Sequence, residues 1–293
     1  MDYQQIAVEV VDGRCRITLD RASRRNALTD LLLEELEHAL WDADDHKDVH
    51  CVVVRGAGQD FCAGYDLTGA GRVNESGRRD GRSIDDDIWQ LERNNRRIRA
   101  LFEMHKPSIA QVHGHCLAGG TDIALACDIV IAAEDARIGF PPARNLGALP
   151  NNLWVYHCGP QWAKRLLLTG DSITGSDAEK IGLVLKAVPA DLLEGEVDQL
   201  ADRLTLIDPD LLSANKRVVN LAMELMGAQT LQRLAAENDA RGHRAPGTKA
   251  YFKAVREKGL REAFRERDGL FGDSLVRVGR PEIRDEKGFL IDD

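Results

Sequence analysis

Two glycine-containing turns carry the residue types from which a site for a developing negative charge can be built. The first reads QDFCAGYDL over 59–67, and the second reads GHCLAGGTDIALACD over 114–128. Each follows a β-rich run and opens toward a helical pattern. Small residues let the backbone approach a ligand closely, and the start of a helix presents N–H groups that have no partner within the helix. Two such N–H groups directed at one point would form an oxyanion hole.

One carboxylate falls directly after the second turn. Asp122 lies in the sequence AGGTD, in the first turn of the predicted helix. A carboxylate there can act as a general acid or base toward a substrate held at the turn. It can also simply offset the helix dipole, a stabilisation of ~0.3–1 kcal/mol. His113 and His115 lie on one face of the preceding strand, and either could act as a base near neutral pH or be an ordinary hydrogen-bonded histidine.

The elements that position these turns alternate between short β-rich runs and helical patterns, which predicts an α/β core with parallel strands. Leucines recur every four residues from Leu28 to Leu40, so this segment is predicted to be an amphipathic crossover helix with Thr29 at its start. After Gly159 the pattern becomes mainly helical. The β-rich runs are 6–11, 15–20, 51–56, 108–114 and 128–133, with a further short run over 183–189.

Three further segments flank this core. Residues 68–87 are rich in Gly, Ser, Arg and Asp, which predicts a surface loop before a helix that begins near Ile88. This loop could be a lid over the site or a solvated insertion without a role. The helical patterns over 190–226 and 228–271 predict a layer packed on the core or on a neighbouring subunit. The polar stretch 276–293 predicts an extended arm.

Composition and charge exclude several classes of function. The chain has 293 residues, of which 43% are hydrophobic, 30% charged and 5% aromatic, and its net charge is -9. This charge and the few aromatic residues argue against a nucleic-acid partner. No stretch approaches the ~20 apolar residues of a membrane span, and the N-terminus lacks the layout of a signal peptide, so we expect a cytoplasmic protein without a membrane partner. The six scattered cysteines indicate neither disulfides nor a metal site.

Taken with their flanks, the two turns resemble those of the enoyl-CoA hydratase/isomerase family, also called the crotonase superfamily. The resemblance runs from about residue 5 to 205, and more weakly through 228–271. It implies an α/β fold with a crotonase-like spiral of ββα units over 1–204. It also implies a helical C-terminal trimerisation region over 205–275, giving a homotrimer or a hexamer built as a dimer of trimers, and a polar tail over 276–293. The matching stretches are ITLDRASRRNAL (17–28), VVVRGAGQDFCAGYDL (52–67), KPSIAQVHGHCLAGGTDIALACDIVIAAEDARIGFP (106–141) and LLLTGDSITGSDAEKIGLV (166–184).

The resemblance also implies a chemistry. In this family the carbonyl of an acyl-CoA thioester, which is the substrate and not a permanently bound cofactor, lies between two backbone N–H groups that stabilise an enolate. By position in the two turns, these donors are the N–H groups of Tyr65 and Gly119. The Tyr65 side chain would then shape the acyl pocket, because the donor itself belongs to the backbone.

The acid/base residues depart from the family pattern. Hydratases of the family use two glutamates, and the first has Asp122 as its counterpart here. The second corresponds to Pro142 or Ala143, and no carboxylate lies between 135 and 171. The family resemblance as a whole implies an enoyl-CoA hydratase, whereas the absence of the second glutamate leaves alternatives open. The alternatives are another reaction of the family on a CoA thioester (isomerisation, decarboxylation or C–C hydrolysis) and a catalytically silent acyl-CoA binding protein.

The resemblance implies a CoA site as well. Arg24 and Arg25 supply charge for phosphates, and the last helix would bring an aromatic and a basic residue to the CoA of an adjacent subunit. Asp66 could instead cap its own turn, and the last-helix pair could be a core Phe and a solvated Arg. The residues expected to bind substrate or CoA are Arg24, Arg25, Ala63, Asp66, Gly120, Phe264 and Arg267. The polar residues expected near the acyl end, each more typical of a loop or surface than of catalysis, are Arg144, Asn145, Asn151, Asn152 and His157.

Overall fold

The structure, a computed structural model, describes residues 2–68 and 83–291. Most of the predicted loop 68–87, and with it the choice between a lid and an insertion, lies outside the described residues. Within the two described ranges, no helix is both long and apolar enough to cross a membrane.

Two sheets form the framework of the chain. The strands are β1 (Ile6–Val11), β2 (Arg14–Leu19), β3 (Cys51–Gly56), β4 (Ser108–Val112), β5 (His115–Leu117), β6 (Ile129–Ala133), β7 (Arg137–Gly139), β8 (Ser172–Thr174) and β9 (Lys186–Val188). The larger sheet has the order β1-β2-β3-β4-β6-β9 and the smaller the order β5-β7-β8. Apart from the antiparallel β1–β2 pair, the larger sheet is parallel, with Ile17 opposite Val54 in its centre. The predicted parallel core is confirmed.

Ten α-helices surround or extend the sheets in the described ranges. They are α1 (Asp30–Asp45), α2 (Ile84–Glu103), α3 (Gly119–Ala126), α4 (Trp154–Thr169), α5 (Gly175–Lys180), α6 (Leu193–Thr205), α7 (Pro209–Leu225), α8 (Ala228–Gly242), α9 (Pro246–Lys258) and α10 (Leu260–Asp268). The predicted crossover helix is α1, in which the Thr29 hydroxyl accepts the Leu32 N–H at 3.1 Å. Helix α2 begins four residues before the predicted Ile88, because Ser83 caps it and acidic residues occupy its first turn.

The C-terminal helical region is more broken than its patterns predict. Pro209 and Pro246 each begin a new helix, because proline lacks the N–H that a helix interior requires. Helix α7 is fixed to the sheet layer by Lys216, whose buried ammonium group donates to the Leu101 carbonyl at 2.8 Å and pairs with Asp128 at 2.9 Å. Helix α8 packs on α2 of the same chain.

The prediction of an extended C-terminal arm is wrong for the described residues. Val276 is 1% exposed, and its N–H donates to the Ser172 carbonyl at 2.9 Å, so the chain adds to the edge of the smaller sheet. Further along, Glu282 pairs with Arg165 at 2.8 Å and Arg284 pairs with Asp273 at 3.0 Å. The polar composition that suggested an arm instead supplies the ion pairs that hold this segment on the core.

Candidate active site

The two glycine-containing turns lie side by side. The Cys62 N–H donates to the His115 carbonyl and the Leu117 N–H donates to the Cys62 carbonyl, both at 2.9 Å. Gly64 adopts a φ of 100°, and a Cβ at this residue would lie only 3.4 Å from the backbone nitrogen of Gly119. The ends of the two turns therefore converge, as the predicted oxyanion hole requires.

The two predicted donors are available. In the described part of the chain, neither the Tyr65 N–H nor the Gly119 N–H donates to another protein group. The neighbours of Tyr65 hold its turn instead, because the Gly64 carbonyl accepts from Leu28 at 2.8 Å and the Asp66 N–H donates to the Leu28 carbonyl at 2.9 Å. Gly119 is the first residue of α3, where N–H groups have no partner within the helix.

Asn26, which the sequence analysis missed, holds the first turn in place. Its side chain is fully buried, and its amide donates to the carbonyls of Ala57 and Asp60 at 2.9 and 2.7 Å while its oxygen accepts the Arg21 N–H at 2.9 Å. Its φ is 54°, a left-handed conformation that Asn tolerates better than most residues. The signal that the sequence offered was the residue type itself, because Asn, here between charged and apolar residues, tolerates a left-handed conformation.

The Tyr65 ring covers Gly119. A Cβ on Gly119 would lie 2.7 Å from the nearest ring carbon, so only glycine fits beneath the ring. The phenol oxygen is buried and has no hydrogen-bond partner among the described residues, and burial raises the pKa of this phenol well above its ordinary value. The side chain thus forms part of the pocket wall next to both donors.

We expect Tyr65→Phe to keep both the ring and the backbone donor. A buried hydroxyl without a partner costs free energy, so its removal should leave the free energy of unfolding unchanged or raise it by up to ~1 kcal/mol. Thermal denaturation followed by circular dichroism measures this change. The kcat of the variant should stay close to that of the wild type, and a large drop in kcat would instead indicate that the hydroxyl contacts the reacting atoms.

Asp122 is a buried carboxylate. It is 1% exposed, and neither of its side-chain oxygens accepts a hydrogen bond from the part of the chain that the structure describes. Burial, and then the negative charge of Asp239, raise the pKa of Asp122 well above its ordinary value. A carboxylate that only offset the dipole of α3 would be placed to accept N–H groups at the helix start, so the dipole reading does not explain this environment.

A second titratable group near the site was missed from the sequence. Asp239 on α8 is 3% exposed. Its Oδ1 atom has no hydrogen-bond partner among residues 2–68 and 83–291, and Nε2 of His243 lies 3.4 Å from that atom. Nδ1 of His243 pairs with Asp87 on α2 at 2.9 Å. Burial raises the pKa of Asp239 to about 7, although His243 lowers it in part. Burial alone would lower the pKa of His243, but the hydrogen bond to Asp87 and the charge of Asp239 outweigh it and raise that pKa.

A cavity of about 830 Å³ opens beside these groups. Asp239, His243 and Asp87 line it together with Tyr65. Of the residues predicted to bind substrate or CoA, those on the cavity wall are Arg24, Arg25, Ala63, Asp66, Phe264 and Arg267. Gly120 is not among the residues of the wall, and its lack of a side chain lets α3 pack against Cys62. Gly119 and Asp122 are not among them either; the Tyr65 ring covers Gly119, and the charge of Asp122 acts on the Tyr65 phenol, so both residues lie next to Tyr65.

The backbone N–H groups of Ala63 and Asp66 already donate within the chain. The Ala63 N–H donates to the Arg25 carbonyl and the Asp66 N–H to the Leu28 carbonyl, both at 2.9 Å. The Asp66 carboxylate pairs with Arg21 at 2.9 Å, so it holds its own loop, as the alternative reading proposed. Any backbone contribution of these residues to ligand binding must come from their carbonyl groups.

The last helix lines the cavity of its own chain. Phe264 and Arg267, which the resemblance predicts at the CoA of an adjacent subunit, lie on the wall of their own chain's cavity beside Arg24 and Arg25, and a contact with a neighbouring subunit stays a prediction. The Arg267 guanidinium lies 4.8 Å from the Phe264 ring centroid and donates to Asp268 through two hydrogen bonds of 2.8 Å. Neither is thus a simple core Phe or solvated Arg.

The other polar candidates do not reach the cavity. None of Arg144, Asn145, Asn151, Asn152 and His157 lies on its wall. Arg144 is buried in ion pairs with Asp171 at 3.0 Å and Asp268 at 2.8 Å, and burial lowers the pKa of His157.

The two histidines before the second turn are hydrogen-bonded to the first turn. Nε2 of His113 lies 3.1 Å from the Gly58 carbonyl and Nδ1 of His115 lies 2.6 Å from Asp60, which favours a structural role for both. No cluster of three or more His, Cys, Asp or Glu side chains suited to a metal ion occurs among residues 2–68 and 83–291.

The chain is similar in sequence to known proteins. A sequence model described as "Enoyl-CoA hydratase/isomerase" matches residues 9–268. The chain is 33% identical over 214 residues to a 2,3-dehydroadipyl-CoA hydratase of Escherichia coli, covering 71% of this chain and 79% of the relative. It is 30% identical over 233 residues to a peroxisomal Delta(3,5)-Delta(2,4)-dienoyl-CoA isomerase of Arabidopsis thaliana, covering 76% and 83%.

The fold is also similar to that of solved structures. A crystal structure of an enoyl-CoA hydratase from Mycobacterium smegmatis superposes with a TM-score of 0.87 at 36% identity, covering 93% of this chain and 96% of the other. A likeness of this extent confirms the predicted crotonase-like α/β fold class.

Proposed function

Since the chain belongs to the enoyl-CoA hydratase/isomerase family, we propose that it stabilises the enolate of an acyl-CoA thioester and adds water to the double bond of a 2-enoyl-CoA. The named relatives are a hydratase and an isomerase that act on CoA esters. The chain is accordingly an acyl-CoA enzyme of the crotonase superfamily. Hydration is the reaction that its converging N–H donors and buried carboxylic acid support best.

The reaction needs a place for negative charge. When the oxygen of water bonds to the β-carbon, the electron pair of the double bond moves toward the thioester carbonyl. The N–H groups of Tyr65 and Gly119, which have no protein partner in the described chain, could both donate to that oxygen. Each such donor typically contributes ~3–4 kcal/mol to transition-state stabilisation.

The observation that carries the proposal is the environment of Asp122. This side chain is 1% exposed, has no hydrogen-bond partner among the described residues, and follows the Gly119 donor by three residues on the same helix. Burial raises the pKa of this carboxyl group well above its ordinary value, which favours the protonated form that could deliver a proton to the α-carbon of the enolate.

The test is turnover of crotonyl-CoA, followed by the loss of the conjugated-enoyl absorbance, with binding of the CoA ester measured in parallel by calorimetry. We expect both binding and turnover. Binding without turnover of crotonyl-CoA or of longer and branched 2-enoyl-CoA esters would contradict the hydratase assignment and favour a silent acyl-CoA binding protein.

Isomerisation of the double bond is the second candidate. The segment 140–152 carries no carboxylate at the place of the family's second glutamate, and one of the relatives is a dienoyl-CoA isomerase. Moving a double bond needs a proton to be removed and returned but needs no activated water. A 3-enoyl-CoA or 3,5-dienoyl-CoA ester that reacts faster than crotonyl-CoA would favour this candidate.

We also propose that the protein forms a homotrimer, or a hexamer built from two trimers. Support comes from α7, where Leu211, Val218 and Leu225 recur every seven residues and are 59%, 69% and 82% exposed. An apolar stripe of this kind is typical of a subunit contact. Size-exclusion chromatography with light scattering should give three or six times the chain mass of 32.4 kDa. A monomer or dimer across the micromolar range would contradict the proposal.

A further inference from the structure

We propose that Asp239 is a second catalytic acid/base residue of this site, replacing the glutamate that segment 140–152 lacks, and that His243 and Asp87 position its carboxylate. The inference rests on the proposed function, because it assigns a proton-transfer role within that reaction. From the two turns, the sequence analysis proposed only Asp122 as an acid/base carboxylate. The second carboxylate, Asp239, lies on helix α8.

The first argument is position. Asp239 lies on the cavity wall, and its Oδ1 atom is buried without a hydrogen-bond partner. The segment that lacks the second glutamate packs directly on it, since a Cβ on Gly147 would collide with Oδ1 of Asp239. A Cβ on Gly242, near the end of α8, would also lie 2.9 Å from the Gly147 Cα. The Asp239 carboxylate therefore lies beside the backbone of segment 140–152, which has no carboxylate of its own.

The second argument is support. The imidazole of His243 lies between two carboxylates, with Nε2 3.4 Å from Asp239 and Nδ1 2.9 Å from Asp87. An imidazole fixed on one side by a carboxylate can orient and exchange a proton with a group on its other side. Asp87 lies on α2 and His243 directly follows α8, so two packed helices fix this arrangement.

The third argument is that Asp122 and Asp239 have different surroundings, which affect their pKa values differently. The titratable or charged groups that face Asp239 are Asp122 on α3, Asp87 on α2, His243 directly after α8 and Tyr65 on the first turn. Among the described residues, the two oxygens of Asp122 have no hydrogen-bond partner, whereas Asp239 has His243 beside it. Burial therefore favours the protonated form of Asp122, and Asp239, with a pKa of about 7, is the group that can accept a proton near neutral pH.

The proton balance of hydration then closes within the site. Asp239 accepts a proton from water as the water oxygen bonds to the β-carbon, and the π electrons move to form the enolate. Asp122 gives its proton to the α-carbon, and the carbonyl re-forms as the C–H bond forms. The proton gained by Asp239 and the one lost by Asp122 are then exchanged with solvent before the next turnover. The net change is the addition of one water molecule.

The test compares Asp239→Asn with Glu237→Gln, which removes one acid from the exposed face of the same helix. For Asp239→Asn we expect kcat to fall by a factor of ten to a hundred, with binding of the CoA ester changed less than twofold. The pH profile of kcat/KM should lose its limb near neutral pH. Glu237→Gln should retain the rate and the pH profile of the wild type, and thermal denaturation confirms that both variants fold.

A His243→Gln variant tests the positioning role. We expect the limb of the pH profile to move while part of the rate remains, because Asp239 is still present; a purely structural histidine would change stability and leave the limb in place. If Asp239→Asn keeps both the rate and the limb while Asp122→Asn is inactive, our proposal for Asp239 is overturned and the proposed function stands. If the wild type converts no enoyl- or dienoyl-CoA ester, the proposed function fails and the proposal falls with it.

Discussion

Asp122→Asn is expected to reduce kcat for enoyl-CoA conversion by about 10²–10⁴-fold, the range typical of a lost general acid. The amide has the shape of the carboxyl group but cannot deliver a proton to the α-carbon. Because the substitution keeps the size and shape of the side chain, affinity for the CoA ester should change little. Single-turnover absorbance and calorimetric titration separate the two effects.

Stability provides an internal control for this variant. Burial holds the pKa of Asp122 above its unfolded-state value, so the neutral form is favoured in the folded protein. This contribution is fully present below the unfolded-state pKa and is lost as pH rises through the folded-state pKa, by at most about 1.4 kcal/mol per pH unit. Asn cannot ionise. We therefore expect Asp122→Asn and wild type to be most alike at low pH, with the variant increasingly the more stable as pH rises.

Asp135→Asn is the matched control, because Asp135 is exposed. It should leave both kcat and the pH dependence of stability unchanged. If Asp122→Asn stabilises the protein at high pH yet turns over crotonyl-CoA at the wild-type rate, Asp122 is a buried structural group and the acid must lie elsewhere.

Gly64→Ala is expected to lower kcat/KM by about 10²–10³-fold, comparable to the loss of one oxyanion donor. Gly64 has a φ of 100°, and its Cβ would lie 2.7 Å from the Ala118 Cβ and 3.1 Å from the Leu117 carbonyl oxygen. To relieve this overlap the two turns must separate, and the peptide that carries the Tyr65 N–H must rotate. Both changes move the donors away from a common point.

Gly227→Ala is the control that separates the cost of a strained backbone from the effect of steric overlap with the added Cβ. Gly227 has a φ of 90°, and no atom lies within 4 Å of the position its Cβ would take. Both substitutions carry the cost of ~1–2 kcal/mol for a left-handed backbone, but only the one at Gly64 disturbs the two turns. Equal losses of kcat/KM in the two variants, measured under conditions where both are folded, would exclude the proposed role of the Gly64 turn.

The local patterns of the sequence predicted the framework well. Leucines at a helical spacing gave α1 with its Thr29 cap, and apolar runs gave the strands of the larger sheet, because these features depend on near neighbours in the chain. The same patterns predicted the C-terminal helices and the tail less well. The helices are shorter than the periodicity suggested, because new helices begin at Pro209 and Pro246. The polar tail packs on the core because ion pairs such as Arg284–Asp273 hold it there.

By itself, the sequence determined the family, the two turns, the candidate donors Tyr65 and Gly119, and the carboxylate Asp122, since each lies within a contiguous motif. Only the tertiary structure decided that the two turns meet at Gly64 and Gly119 and that Phe264 and Arg267 line the cavity of their own chain. It also decided that Asp239 faces the site. These residues are far apart along the chain, and the packing of α8 and α10 against the core, not any local pattern, determines which of their side chains are buried, paired or left facing the cavity.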